Sequence, residues 1–152
     1  MKVGNSSYKF WLILNYILEK VKECASKFDV QRIAYDKWNS SQLIINILDE
    51  GIDAFPMSQN FSTLGPINKE MTKAFLNREI SHQDSPMLRW QRTNAVLEVN
   101  FAGLEKIDKK RSSGKIDSII ACQMAYGNFL DALANAKPKS KYEDDDYGLQ
   151  II

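Results

Sequence analysis

Apolar residues recur every three or four positions between residues 8 and 27. Phe10, Leu14, Ile17, Val21 and Cys24, continued by Phe28, form the stripe of a long amphipathic helix. The pattern then changes. "VQRIAY" (30–35) is a short β-branched run that reads as a strand. "SSQLIINILDEG" (40–51) returns to helix, with Asn39 or Ser40 as its cap and Gly51 as its stop. "IDAFPM" (52–57) is a second strand. Pro66 opens a helix that reaches about Arg78, with Ile67, Met71, Ala74 and Phe75 on its buried side. A short helix over "SPMLRWQRTN" (85–94) is expected to anchor Leu88 and Trp90 in the core. "AVLEVNF" and "LEKIDKK", on either side of Ala102 and Gly103, spell a hairpin. A last helix starts near Lys115 and ends by Ala136, ahead of Pro138.

Helix and strand alternate, the signature of an α/β fold with helices packed on a partly parallel sheet, made mixed by the hairpin. Two strands before the hairpin are few for five helical segments, so the sheet is expected to be incomplete at its N-terminal side. Residues 1–136 are read as one α/β domain. The biased stretch "KPKSKYEDDDYGLQII" (137–152) is read as a solvated tail.

The 152 residues fit one domain and carry 20 Lys and Arg against 19 Asp and Glu, a net charge of +1. A balance so close to neutral neither announces nor excludes a nucleic-acid partner, so any electrostatic argument must be local. Cys24 and Cys122 have no metal-type spacing. They sit in apolar helical patterns and read as small core residues of a reducing compartment. The run "FWLILNYIL" is broken by Asn15 and followed by Glu19, Lys20 and Lys22. It is too short to span a bilayer and lacks the start and cleavage site of a signal peptide, so no membrane association is expected.

Two acids stand out. Asp36 follows the first strand at its carboxyl end, where open α/β sheets gather functional groups; a turn or cap there also uses an acid. Asp117 opens the last helix and shares a helical face with Ile120, Ala121 and Met124, which directs its carboxylate toward the sheet. An acid in a first turn also complements the helix dipole. As a pair, the two can share a divalent cation, and hard oxygens suit Mg²⁺ or Mn²⁺. Carboxylates without a His or Cys set are the pattern of two-metal phosphodiester chemistry, which generally takes three or more acids. "KIDKKRSSGK" places Lys106, Lys109, Lys110, Arg111 and Lys115 just ahead of Asp117, where they suit a phosphate backbone. The same string is no P-loop, since residue 109 is not glycine and Ile116 follows Lys115. His82, the only histidine, lacks a Ser or Cys partner pattern and reads as structural.

"IAYDKW", "GPINKEM", "SPMLRWQRTN" and "KRSSGKIDSIIACQMA", with the closing "KYEDDDYGLQII", resemble in order and spacing the C-terminal nuclease domain of the large terminase subunit of tailed bacteriophages. The resemblance runs from about Val3 to the C-terminus. It implies an RNase H-like fold and a metal-dependent endonuclease that cuts concatemeric double-stranded DNA during packaging. It further implies two Mg²⁺ or Mn²⁺ ions in a complete site, the small terminase subunit and the portal as partners, and the cytoplasm of a bacterial host. Asp36 and Asp117 match two acids of the family's cluster, and Lys109 or Lys110 matches its basic residue. Ser118 and Ser85 stand where the family usually has glycine and asparagine. A further family acid on a first strand has no counterpart among the seven residues before Tyr8, and the ATPase motor is absent, so cleavage by this chain alone is expected to be weak or absent. The alternative is a non-catalytic domain that binds DNA or a packaging partner.

Overall fold

In the computed structural model, which describes residues 4–37 and 41–136, the changes of period become nine elements. They are α1 (Gly4–Lys27), β1 (Ile33–Tyr35), α2 (Ser41–Asp49), β2 (Ala54–Pro56), α3 (Phe61–Leu76), α4 (Pro86–Asn94), β3 (Leu97–Val99), β4 (Glu105–Ile107) and α5 (Asp117–Asn135). The α/β alternation is as expected, with shorter strands. β1 starts at Ile33 because the chain turns first, with the Val30 N–H donating to the Phe28 carbonyl at 2.9 Å. The proposed caps of α2, Asn39 and Ser40, and the tail at 137–152 lie outside the described residues.

β1 and β2 pair in parallel, Ile33 opposite Ala54 and Tyr35 opposite Pro56. β3 and β4 pair antiparallel, Leu97 opposite Ile107. The expected single mixed sheet is not formed among the described residues, where there are two separate two-stranded sheets. Side chains join them instead of backbone ladders: α3 lies against β4, and α5 lies against α3 and β1. Between them Met57, Leu64, Ile107, Ile116, Ile120 and Met124 make the core.

α3 begins five residues before Pro66, so the proline sits inside the helix and not at its start. The reason is local: Asn60 accepts the Thr63 N–H on Oδ1 at 2.9 Å, a side-chain cap that satisfies one of the free donors of the first turn. Shifting the start also changes the face. Leu64, Gly65, Asn68, Met71 and Ala74 are buried, whereas Phe75 turns outward and meets His82 edge-on at 6.0 Å. Leu64 is 1% exposed at the centre of the core. Leu64→Ala is expected to cost about 2–5 kcal/mol, the range for a buried leucine whose cavity does not collapse, read as a lower urea midpoint at unchanged slope.

α3 and α5 approach closely at Gly127, where a Cβ would lie 2.5 Å from Ile67 Cδ1 and 3.0 Å from Met57 Cε. Beside it, the fully buried Gln123 donates from Nε2 to Asn68 Oδ1 at 2.7 Å and locks the register of the two helices.

Several apolar expectations fail at the surface. On α1 the half-buried line is Leu14, Leu18, Val21 and Ala25, while Phe10, Ile17, Cys24 and Phe28 remain exposed. α1 packs on α2, and nine residues, roughly 14 Å of helix, cannot cover a helix of roughly 36 Å. Cys122 is exposed too, so neither cysteine is a core residue. Trp90 is 53% exposed; α4 buries Gln91 instead, because that is the face it turns to α5. No helix among the described residues is long and apolar enough to cross a membrane.

Candidate functional site

Asp36 stands where the parallel ladder ends. The Met57 N–H donates to the Tyr35 carbonyl at 2.8 Å, one residue past the last paired position of β2. Half-buried, Asp36 lines a recess of about 300 Å³ with Lys37, Met57, Ser58, Gln59 and Asn60.

The direction of α5 decides where Asp117 lies. Arg32, just before β1, pairs with Asp131 near the far end of α5 at 3.0 Å, while Met57, just after β2, lies against Gly127. α5 therefore runs opposite to β1, and its first turn projects beyond the carboxyl ends of the strands. Asp36 and Asp117 are on the same side of the fold, with roughly 15 Å of helix between Gly127 and Asp117. The expectation that Asp117 faces the sheet fails: its side chain is 68% exposed, and Ala121 is exposed as well. The core lies under the neighbouring line of Ile116, Ile120, Gln123 and Gly127.

Ile116 caps α5 without a side-chain hydrogen bond. Gln91 of α4 does the work from 27 residues away: its Oε1 accepts the Ser118 N–H at 2.7 Å and its Nε2 donates to Ser118 Oγ at 3.1 Å. A buried amide thus holds the turn that carries Asp117. Gln91→Ala is expected to lower stability by about 1–3 kcal/mol, the cost of leaving a helix-start donor without its partner, measurable by chemical denaturation.

The basic residues divide. Lys106, Lys109, Lys110 and Arg111 line a groove of about 490 Å³ together with Gln59, Leu64, Glu98 and Asp108. Lys115 is not among its walls; its carbonyl accepts from Asn94 Nδ2 at 3.1 Å, an anchor for the approach to α5. Lys106 sits over the Phe61 ring, 4.8 Å from its centroid. Asp108, whose side chain is 14% exposed, shapes the loop: Oδ1 accepts the Lys110 N–H at 2.8 Å and Oδ2 faces Arg111 Nε at 3.3 Å. Ser112 donates from Oγ to the Asp108 carbonyl at 2.7 Å and accepts the Val96 N–H at 3.3 Å. The loop is therefore tied to the hairpin and presents its cations outward.

Two contacts link the parts. Gln59 lines both the recess of Asp36 and the basic groove. Lys109 Nζ lies 3.5 Å from Asp117 Oδ1. Asp108, Gln91 and Gln59 were not singled out from the sequence. Only Asp108 carried a signal, an acid two residues before the N–H that it accepts, as in an Asx turn.

Among the described residues no group of three or more His, Cys, Asp and Glu side chains gathers to hold a metal ion. The donor chemistry of Asp36 and Asp117 nonetheless suits Mg²⁺, which takes one or two carboxylates and completes its shell with water and phosphate oxygens.

A sequence model of the family described as "Terminase large subunit, endonuclease domain" matches residues 10–132. The terminase large subunit of Enterobacteria phage HK97 is 26% identical over 115 residues, which cover 74% of this chain and 23% of that protein. Protein YmfN of Escherichia coli strain K12 is 25% identical over 117 residues, 76% of this chain and 26% of that protein. The crystal structure of the HK97 bacteriophage large terminase matches with a TM-score of 0.69 at 26% identity, over 76% of this chain and 24% of that one. The chain thus spans about a quarter of the length of these relatives.

Proposed function

The chain belongs to the family of terminase large-subunit endonuclease domains, and from this we propose that it is a metal-dependent endonuclease acting on double-stranded DNA in phage-type packaging. Asp36 and Asp117 are the carboxylates that would hold Mg²⁺ or Mn²⁺, two ions in a complete site. The chemistry such ions would supply there is polarisation of a phosphodiester and activation of water. The chain's own groups have separate tasks. Lys109, Lys110 and Arg111 neutralise the phosphate backbone, Asp108 keeps their loop in shape, and Gln91 fixes the turn that carries Asp117. The observation that carries this reading is the 3.5 Å approach of Lys109 to Asp117, which puts a groove cation beside the helix-start acid.

The finer fold assignment, RNase H-like, goes with this reading and is supported by the order of elements and the likeness to the HK97 enzyme. Concatemeric DNA as substrate, the small terminase subunit and portal as partners, and the host cytoplasm as location follow as parts of the same proposal.

Nicking of supercoiled plasmid in Mn²⁺, against the same reaction in EDTA, is the test. Nicking that EDTA stops supports the proposal. A second reading, a domain that binds DNA or a packaging partner without cutting, draws on the absence of a three-acid group among the described residues. It prevails if a DNA gel shift persists in EDTA and no nicking is seen in either reaction.

A further inference from the structure

The connection between β2 and α3, residues 57–60, is fixed at both ends. Met57 is buried in the core, and its N–H donates to the Tyr35 carbonyl at 2.8 Å. Asn60 is held by α3: its carbonyl accepts the Leu64 N–H at 2.9 Å, and its Oδ1 accepts the Thr63 N–H and the Ser62 hydroxyl, each at 2.9 Å. Gln59 stands between these anchors, half-buried while Ser58 and Asn60 are exposed. It follows the carboxyl end of β2, beside that of β1, where open α/β sheets place their ligand contacts. Among the described residues its side-chain amide makes no hydrogen bond.

Of the residues that line the Asp36 recess, only Gln59 also lines the basic groove. A DNA backbone that reaches from the loop cations to Asp36 passes this side chain. The residue type fits that crossing. A lysine here would compete with a divalent cation for Asp36, and a carboxylate would repel phosphate. An amide does neither, because it donates to a phosphate oxygen without adding charge. We propose that Gln59 contacts the DNA directly, its Nε2 donating to the phosphate that lies between the loop cations and Asp36. The inference rests on the endonuclease reading above and adds to it a neutral contact held in place by the anchored connection.

Anisotropy titration of the full chain onto a fluorescent DNA duplex in EDTA, at several salt concentrations, tests it without requiring cleavage. Gln59→Ala is expected to weaken binding at least about tenfold, as for a lost hydrogen bond to a charged group. The slope of log affinity against log salt should match that of the unmodified chain, because a neutral donor displaces no counterion. Lys109→Ala, by contrast, should flatten that slope by about 0.9. Gln59→Met keeps the length of the side chain, removes only the amide and should lose as much; it replaces the alanine variant if that one has a lower urea midpoint. Gln59 variants that bind as the unmodified chain does, while Lys109→Ala binds more weakly, overturn the role of Gln59 and leave the endonuclease reading intact. A loss accompanied by a flatter slope overturns it too, since displaced cations would account for it. An unmodified chain that does not bind the duplex overturns the reading itself, and the role of Gln59 falls with it.

Discussion

Asp36→Asn and Asp117→Asn are each expected to reduce whatever Mn²⁺-dependent nicking the unmodified chain shows by at least about 100-fold, with the fold and the DNA gel shift retained. Asparagine keeps the shape and one acceptor oxygen but removes the charge that a divalent cation requires. Loss of even an outer-shell partner of a metal typically costs about 10–100-fold, so loss of a direct ligand costs more. Stability should change little at Asp117, which is 68% exposed, because surface substitutions stay within about 0.5 kcal/mol. The Asn at 117 also releases Lys109 from its ion pair, so DNA should bind as well or slightly better while cutting fails. Nicking that survives both substitutions would remove these acids from the site.

Reversing the loop charge, with Lys109→Glu and Lys110→Glu alongside Arg111→Gln, should weaken DNA binding by at least about 100-fold at ~0.1 M salt. Each phosphate contact contributes ~0.9 to the slope of log affinity against log salt, so losing three flattens that slope by roughly 3 units. The loop can bear the change. Lys109 and Arg111 are 50% and 64% exposed, and Lys110 contributes its backbone N–H to Asp108, which a glutamate retains. A titration at several salt concentrations separates this from unfolding. If the affinity fell equally at every salt concentration, the loop would not be the phosphate seat.

The local readings held where a short stretch of chain suffices to decide. The period of three to four marks α1, α2 and α5, and the β-branched runs mark β1 and β2, because backbone preference and side-chain spacing are properties of neighbours. The hairpin at Asn100–Gly103 is of the same kind: Asn100 Oδ1 accepts the N–H groups of Ala102 and Leu104, and Gly103 adopts a φ of 74°. The start of α3 is local too, but the Asn60 cap outcompetes the proline signal at Pro66 and sets the helix five residues earlier.

The sequence by itself determined the α/β order, the place of Asp36 at a strand end, the place of Asp117 at a helix start and the run of cations just ahead of it. All of these depend on residues adjacent in the chain. Tertiary structure alone decided which face of α1 is covered, that the strands of the described residues form two sheets, that Asp117 projects into solvent, and that Gln59 borders both recesses. It also decided that Gln91 caps α5 from another helix and that Gln123 meets Asn68 across 55 residues. These depend on how much surface each neighbour can cover and on where its donors and acceptors end up. Periodicity says that a face is apolar; only packing settles whether anything lies against it.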